Sequence, residues 1–247
     1  LSGNKYDAND PQSQLWIHLT AWHSILFAYE RFGPGKLSAE EESRYWDECA
    51  RAAELQTCDP ADVPRTREGI AEYFEHMRPK LAGSEAAQKM MAHLLRAEIM
   101  MPPMPLVLRP GAWVVGQVLR AGTISTMPQW MRRMAGLRQW RIVDLLVRPV
   151  LWIAFHLAHL NRRAELLALR MLSPMTVPVV APVLLGVPPT NPVTMTPSEA
   201  QALYGYDPPA RAHLALRAKQ AAKVFEEGTA PSDEGIRESE PILGATG

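Results

Sequence analysis

Apolar positions along this chain recur at helical spacing, interrupted by proline and glycine, and the two-residue alternation of strands is scarce. Asp10-Pro11 predicts a helix start. Aspartate accepts from the unpaired N–H groups of the first turn, and proline suits that turn because it has no N–H to satisfy. From Leu15 to Phe32 the only charges are Glu30 and Arg31, so the first helix is apolar nearly all round, the pattern of a helix that belongs in an interior. Gly33, Pro34 and Gly35 end it. Ser38-Ala39-Glu40-Glu41 reads as a capping box opening a second, acidic helix to about Gln56. Thr66 is placed to cap a third to about Leu81, with Gly83 as its stop, and Ser84 to cap a fourth running to Pro102, Pro103 and Pro105.

Further along, helices are predicted at 110–121, 128–135 and 139–172, with Gly122 and Gly136 as stops and Pro149 as a kink. Thr196-Pro197-Ser198-Glu199 is a second capping box, and a last helix runs from about Pro209 to Glu227. There is no internal repeat. The expected fold is all-α: one helical domain over residues 1–227, globin-like in packing style, with a mobile tail over 228–247 rich in Gly, Ser, Pro and Glu.

Charge changes this picture. The 247 residues carry 26 basic and 26 acidic side chains, and a zero balance speaks against a nucleic-acid binder. The zero is an average of unlike parts. Residues 1–98 hold 11 basic and 16 acidic groups; residues 99–197 hold 10 arginines against only Asp144 and Glu165; residues 198–247 hold 5 against 8. The arginine-only block is also the most apolar. Its charge-free run 149–161 has 13 residues, too few to cross a bilayer, and seven prolines between Met171 and Ser198 forbid a spanning helix there. No transmembrane segment is therefore expected. Cys49 and Cys58 read as free thiols in a reducing compartment, which predicts a cytoplasmic protein, peripheral to a membrane if the arginine block meets one. Arginine outnumbers lysine 20 to 6, as in GC-rich bacterial coding, and the start at Leu1 reads as trimmed.

The first helix holds the most informative polar group. His18 shares its face with Gln14, Leu15, Trp22, Ile25, Leu26 and Tyr29. Such a histidine is either a core residue bonded to a carbonyl or an imidazole ligand in an apolar pocket. His23 lies roughly 140° further round, so the two rings do not share one metal from a straight helix. His156 and His159 have a spacing that can share a metal, but no further ligand completes a site. Glu72, Glu75 and His76 read as a solvated face. No Walker loop, GxGxxG or GxSxG occurs.

Tyr6-Asp7-Ala8-Asn9-Asp10-Pro11, followed by Leu15-Trp16-Ile17-His18-Leu19-Thr20 and Ser24, closely resembles a motif of the haem oxygenases related to rubber oxygenase (latex-clearing protein) and the mycophenolic-acid farnesyl-cleaving oxygenase. Tyr29-Glu30-Arg31-Phe32 and Leu37-Ser38 follow in the family's order, as do Val63-Pro64 with Thr66. The resemblance covers residues 4–227 and is sharp over 6–38. It implies an oxygenase that uses haem b, with His18 as proximal iron ligand and Trp16 and Thr20 as its motif neighbours, packed against haem or serving as plain core. The implied partners are O2 and an apolar small molecule, an isoprenoid or lipid. Arginines of 109–170 would face the propionates. Met100, Met101, Met104, Met127, Met131 and Met134 would line a greasy channel or fill core. His23 stands where many relatives carry an acid. The family's distal residues lie upstream of the histidine motif, and only 17 residues precede His18, so no catalytic residue is assigned and the upstream helices read as missing. The alternative is a non-enzymatic peripheral membrane or partner-binding helical protein, docking on a protein partner or a second copy through the segment 109–172.

Overall fold

A computed structural model describes residues 9–96, 105–172 and 174–228. Eleven α-helices run through them: α1 (Pro11–Phe32), α2 (Ala39–Ala52), α3 (Arg67–Met77), α4 (Glu85–Leu94), α5 (Arg109–Thr126), α6 (Gln129–Met134), α7 (Arg141–His159), α8 (Arg162–Leu172), α9 (Val177–Leu185), α10 (Pro197–Tyr204) and α11 (Pro209–Phe225). Among the described residues there is no strand, and the fold is all-α as expected. The tail expected beyond Gly228 lies outside the described residues, as do Met100, Met101 and Met104.

Helix starts follow the capping chemistry. The Asp10 carboxylate accepts from the Ser13 N–H at 2.9 Å, Thr66 Oγ1 from Gly69 N at 3.1 Å and Ser84 Oγ from Ala87 N at 3.2 Å. Both capping boxes form: Glu41 returns to Ser38 N at 2.8 Å and Glu199 to Thr196 N at 2.6 Å. Helix ends departed more from expectation. Gly122 does not stop α5, which continues to Thr126; a Cβ there would come within 2.2 Å of Leu151 Cδ1 on the neighbouring helix. The glycine lets two helices approach closely instead of breaking one. The helix expected over 139–172 is broken: α7 ends at His159, and Asn161 caps α8 through its side chain to Ala164 N at 3.2 Å. Gly136 is the stop it was expected to be, at a φ of +68°.

Two compact units divide the chain, with boundaries inside α1 (after Leu19) and inside α2 (after Trp46). The first comprises residues 1–19, 47–63 and 195–247. Its buried side chains include Leu15, Leu19, Cys49, Ala50, Ala53, Cys58 and Val63. Thr57 Oγ1 donates to the Asn9 carbonyl at 2.8 Å, and the Ser198 N–H donates to the Glu54 carboxylate at 3.2 Å. These bonds tie the loop after α2 to the approach to α1, and the start of α10 to the short turn Ala53–Leu55.

The second unit comprises residues 20–46 and 64–194. Phe32, Val147 and Leu151 form a buried cluster against Val118 and Ala121, with α5 lying along α7. Beside it Arg132 bonds the Asp144 carboxylate at 2.7 Å, and Gln139 donates to its other oxygen at 2.6 Å and to the Ala121 carbonyl at 3.0 Å. Burial pushes the Asp144 carboxyl up, but the Gln139 and Arg132 hydrogen bonds outweigh it and hold the group below the ordinary aspartate range.

Two further expectations are corrected. The first helix is not interior all round: Ile17 (51%), Ile25 (62%) and Tyr29 (44%) are exposed, while Leu15, Leu19 and Leu26 are buried, so its apolar residues outnumber its buried positions. The second concerns length. Among the described residues α7 alone is long and apolar enough, by length and composition, to cross a membrane. The charge-free run was shorter because Arg148 bounds it, whereas α7 begins upstream at Arg141.

Candidate functional site

His18 sits in the middle of α1 at 3% exposure, held there by the apolar stripe of Leu15 and Leu19. Both its ring nitrogens meet groups of the first unit. Nε2 lies 2.7 Å from the Cys49 carbonyl, near the end of α2, and Nδ1 lies 2.9 Å from the Gln56 side-chain nitrogen. A carbonyl only accepts, so Nε2 carries the proton, and the neutral ring then presents a lone pair at Nδ1 to the Gln56 NH2. The Gln56 Oε1 is buried and has no hydrogen-bond partner among the described residues. Cys49 Sγ is 3.5 Å from Nε2. Burial, with the neighbouring Cys58 adding to it, pushes the Cys49 thiol up to about 12, and burial likewise raises Cys58, so both are unreactive thiols.

Trp16 and Thr20 are both half-buried, and each is two residues from His18 along a continuous helix. Two residues correspond to roughly 200° of rotation, so neither shares the face of the imidazole. His23 belongs to the second unit, edge-on to Phe74 at 5.1 Å. Its burial, reinforced by the Arg67 charge and partly opposed by Glu30, lowers its pKa and favours the neutral ring. Arg67 itself bridges Glu30 and Glu42, each at 2.8 Å.

The other histidines do not converge. His156 Nδ1 is 2.8 Å from the Trp152 carbonyl of its own helix, and His159 is 3.6 Å from Glu165. No cluster of three or more His, Cys, Asp or Glu side chains able to hold a metal occurs among the described residues. Met127, Met131 and Met134 are half-buried. Glu72, Glu75 and His76 are exposed, as expected of a solvated face.

The donor at His18 fits haem iron in kind, being a buried, neutral imidazole in an apolar setting. It does not fit in its present contacts. Nδ1 stands next to the carbon that bears Cβ, so a planar macrocycle bound there would collide with the helix that carries the ring. Nε2, the open nitrogen, is engaged by the Cys49 carbonyl. Ligation therefore requires the ring to give up that carbonyl. Sequence reasoning had no means of finding Cys49 or Gln56 here, since they lie 31 and 38 residues from His18 and carry no spacing signal.

Residues 1–159 match a family model described as "ER-bound oxygenase mpaB/B'/Rubber oxygenase, catalytic domain". No curated protein and no solved structure matches the chain. The match takes in the whole motif over residues 6–38 and ends with α7, whereas the resemblance read from the sequence continued to 227.

Proposed function

The chain belongs to the family of mpaB and rubber-oxygenase catalytic domains, and on that premise we propose that it is a haem-b-dependent oxygenase acting on an apolar, isoprenoid or lipid, substrate, with His18 as the iron ligand. The observation that carries the reading is the family match over the segment in which His18 lies buried on the apolar stripe of α1. Bound haem would supply the O2 chemistry. The chain's own part is to hold a neutral imidazole and to keep water from it. Leu15 and Leu19 are buried on the same stretch of α1, and burial raises both thiols. Trp16 and Thr20 would act as supports of α1 rather than as neighbours of the ring. The free thiols favour a reducing, cytoplasmic setting.

The test is absorption. Full-length protein expressed with haem supplementation should show a Soret band, and His18→Ala should lose it or shift it to that of weakly held haem. A wild-type protein without the band, or an unchanged band in His18→Ala, overturns the reading.

A second reading concerns the arginine block and is compatible with the first. Trp113, Val114, Leu145, Leu146 and Ile153 are all at least half exposed, on helices α5 and α7 that carry arginine and no lysine, and Val183 on the charge-free α9 is exposed too. Apolar side chains bordered by arginine suit an anionic bilayer surface, which would also be the source of an apolar substrate. Flotation with vesicles containing anionic lipid, weakened by high salt and by Arg162→Ala/Arg163→Ala, supports it; equal or absent binding to anionic and neutral vesicles sinks it.

A further inference from the structure

Resting on the second reading above, a bilayer contact made by the arginine block, we propose that the outward face of α7 is seated in hydrocarbon. The helix lies within one leaflet, along the membrane surface, with its flanking arginines among the headgroups. Its polarity is reversed from that of a water-facing helix. Asp144, Val147, Arg148 and Leu151 follow at three- and four-residue spacing and so share a face. That face is the packed one. Val147 and Leu151 join the buried cluster with Phe32, Asp144 is paired with Arg132 at 2.7 Å, and Arg148 is half-buried. The opposite side carries Ile142, Leu145, Leu146, Val150, Ile153 and Leu157, all at least half exposed and all uncharged. A helix facing water buries its apolar stripe and shows its charges. A helix facing lipid turns its ionisable groups toward protein, as α7 does. His156, near the end of α7, has its Nδ1 2.8 Å from the Trp152 carbonyl and its ring 3.9 Å from that of Trp152.

Charge placement identifies the occupant. Arg138 and Arg141 are exposed at the start of α7, and Arg162 and Arg163 just past its end. The 19-residue helix sets the two pairs roughly 28 Å apart along the apolar face. Arginine stems can lie on apolar surface while the guanidinium reaches phosphate. Asp144 is the only acid of α7 and is already paired, and Glu165 beyond it is half-buried, 3.6 Å from His159. A second copy docked on this face would therefore set arginine against arginine at both ends, whereas anionic headgroups give every arginine a counter-charge. Crossing the bilayer would carry Arg148 and the Asp144–Arg132 pair into the hydrocarbon. Lying in the leaflet admits the apolar face alone, to a depth of about 5–10 Å.

The experiment labels full-length Leu146→Cys and Ile153→Cys with a polarity-sensitive nitrobenzoxadiazole dye; Cys49 and Cys58 are buried, so the dye goes to the new thiol. Glu72→Cys, on the solvated face of α3, is the control. Vesicles of equimolar phosphatidylcholine and phosphatidylglycerol should shift the emission of both α7 probes to the blue, and a nitroxide on the lipid acyl chain should quench them, with neither effect at Glu72→Cys. Leu146→Glu with Ile153→Glu, which keeps every arginine, should weaken flotation roughly 100-fold, about tenfold for each aliphatic group withdrawn from lipid. Both positions are exposed, and circular dichroism confirms that the variant folds. If wild type floats while the probes stay unshifted and the glutamate variant floats equally well, insertion is overturned and the arginine contact stands. A blue shift without vesicles, with a doubled mass by light scattering, overturns it in favour of a second copy on this face. A wild type that does not float overturns both the insertion and the reading it rests on.

Discussion

The two units solve the problem of a mostly apolar helix in opposite ways. Around His18 the first unit closes inward: a histidine and two thiols are buried, and the ring meets a backbone carbonyl and the half-buried Gln56. The arginine block of the second unit faces outward. Its helices are held by a glycine contact and a half-buried ion pair, while large apolar side chains such as Leu146 (61%) and Val183 (82%) meet solvent. Chemistry needs the first arrangement, in which a neutral imidazole is kept dry. Contact with something apolar needs the second. The family match ends at residue 159, so it takes in the His18 motif and the arginine block as far as α7.

The comparison can be tested most sharply at its centre. His18→Ala leaves the Cys49 carbonyl and the Gln56 amide unpaired inside a cavity and should cost about 3–4 kcal/mol in urea denaturation of the haem-free protein. A cost under about 1 kcal/mol would mean the inward closure of the first unit is unimportant. In the second unit, Arg132→Ala strips the half-buried Asp144 of its charge partner and should cost about 3 kcal/mol, whereas Arg132→Met with Asp144→Asn should recover much of it.

Smaller effects probe the edges of the same contrast. The Arg67 hydrogen bond, against the opposing effect of burial, holds the Glu42 carboxyl below its ordinary value. A lowered folded-state pKa stabilises the protein above the ordinary glutamate range, about 4.3, and that stabilisation is lost as pH falls through the lowered value. Arg67→Ala should therefore flatten the acid limb of a stability profile and cost about 1 kcal/mol at neutral pH. Smallest of all is Gly122→Ala. The new methyl meets only the movable end of Leu151, and the gain in helix propensity of up to about 1 kcal/mol offsets the crowding, so thermal melting should hardly move. A large loss would show that α5 and α7 tolerate no adjustment at their crossing.

Local chemistry accounts for what was legible along the chain. Asp10, Ser38, Thr66, Ser84 and Thr196 marked their helix starts because a capping side chain bonds N–H groups two or three residues away, a relation contained within the segment. Helix stops were less legible. Gly136 ended a helix and Gly122 did not, because the role of Gly122 is decided by Leu151 across the packing interface, 29 residues on. Likewise the run 149–161 looked too short to span a bilayer because Arg148 bounds it, whereas α7 continues upstream through Arg148 to Arg141.

The sequence by itself determined the all-α class, the helix starts, the family and the one histidine in the motif, since each depends on residue order or on interactions within a turn. Tertiary structure alone decided how that histidine is held. Its tautomer follows from the Cys49 carbonyl, and its second nitrogen is met by Gln56 from the turn beyond α2. Hydrogen bonds between distant segments form only once packing has brought those segments together, so no spacing along the chain announces them.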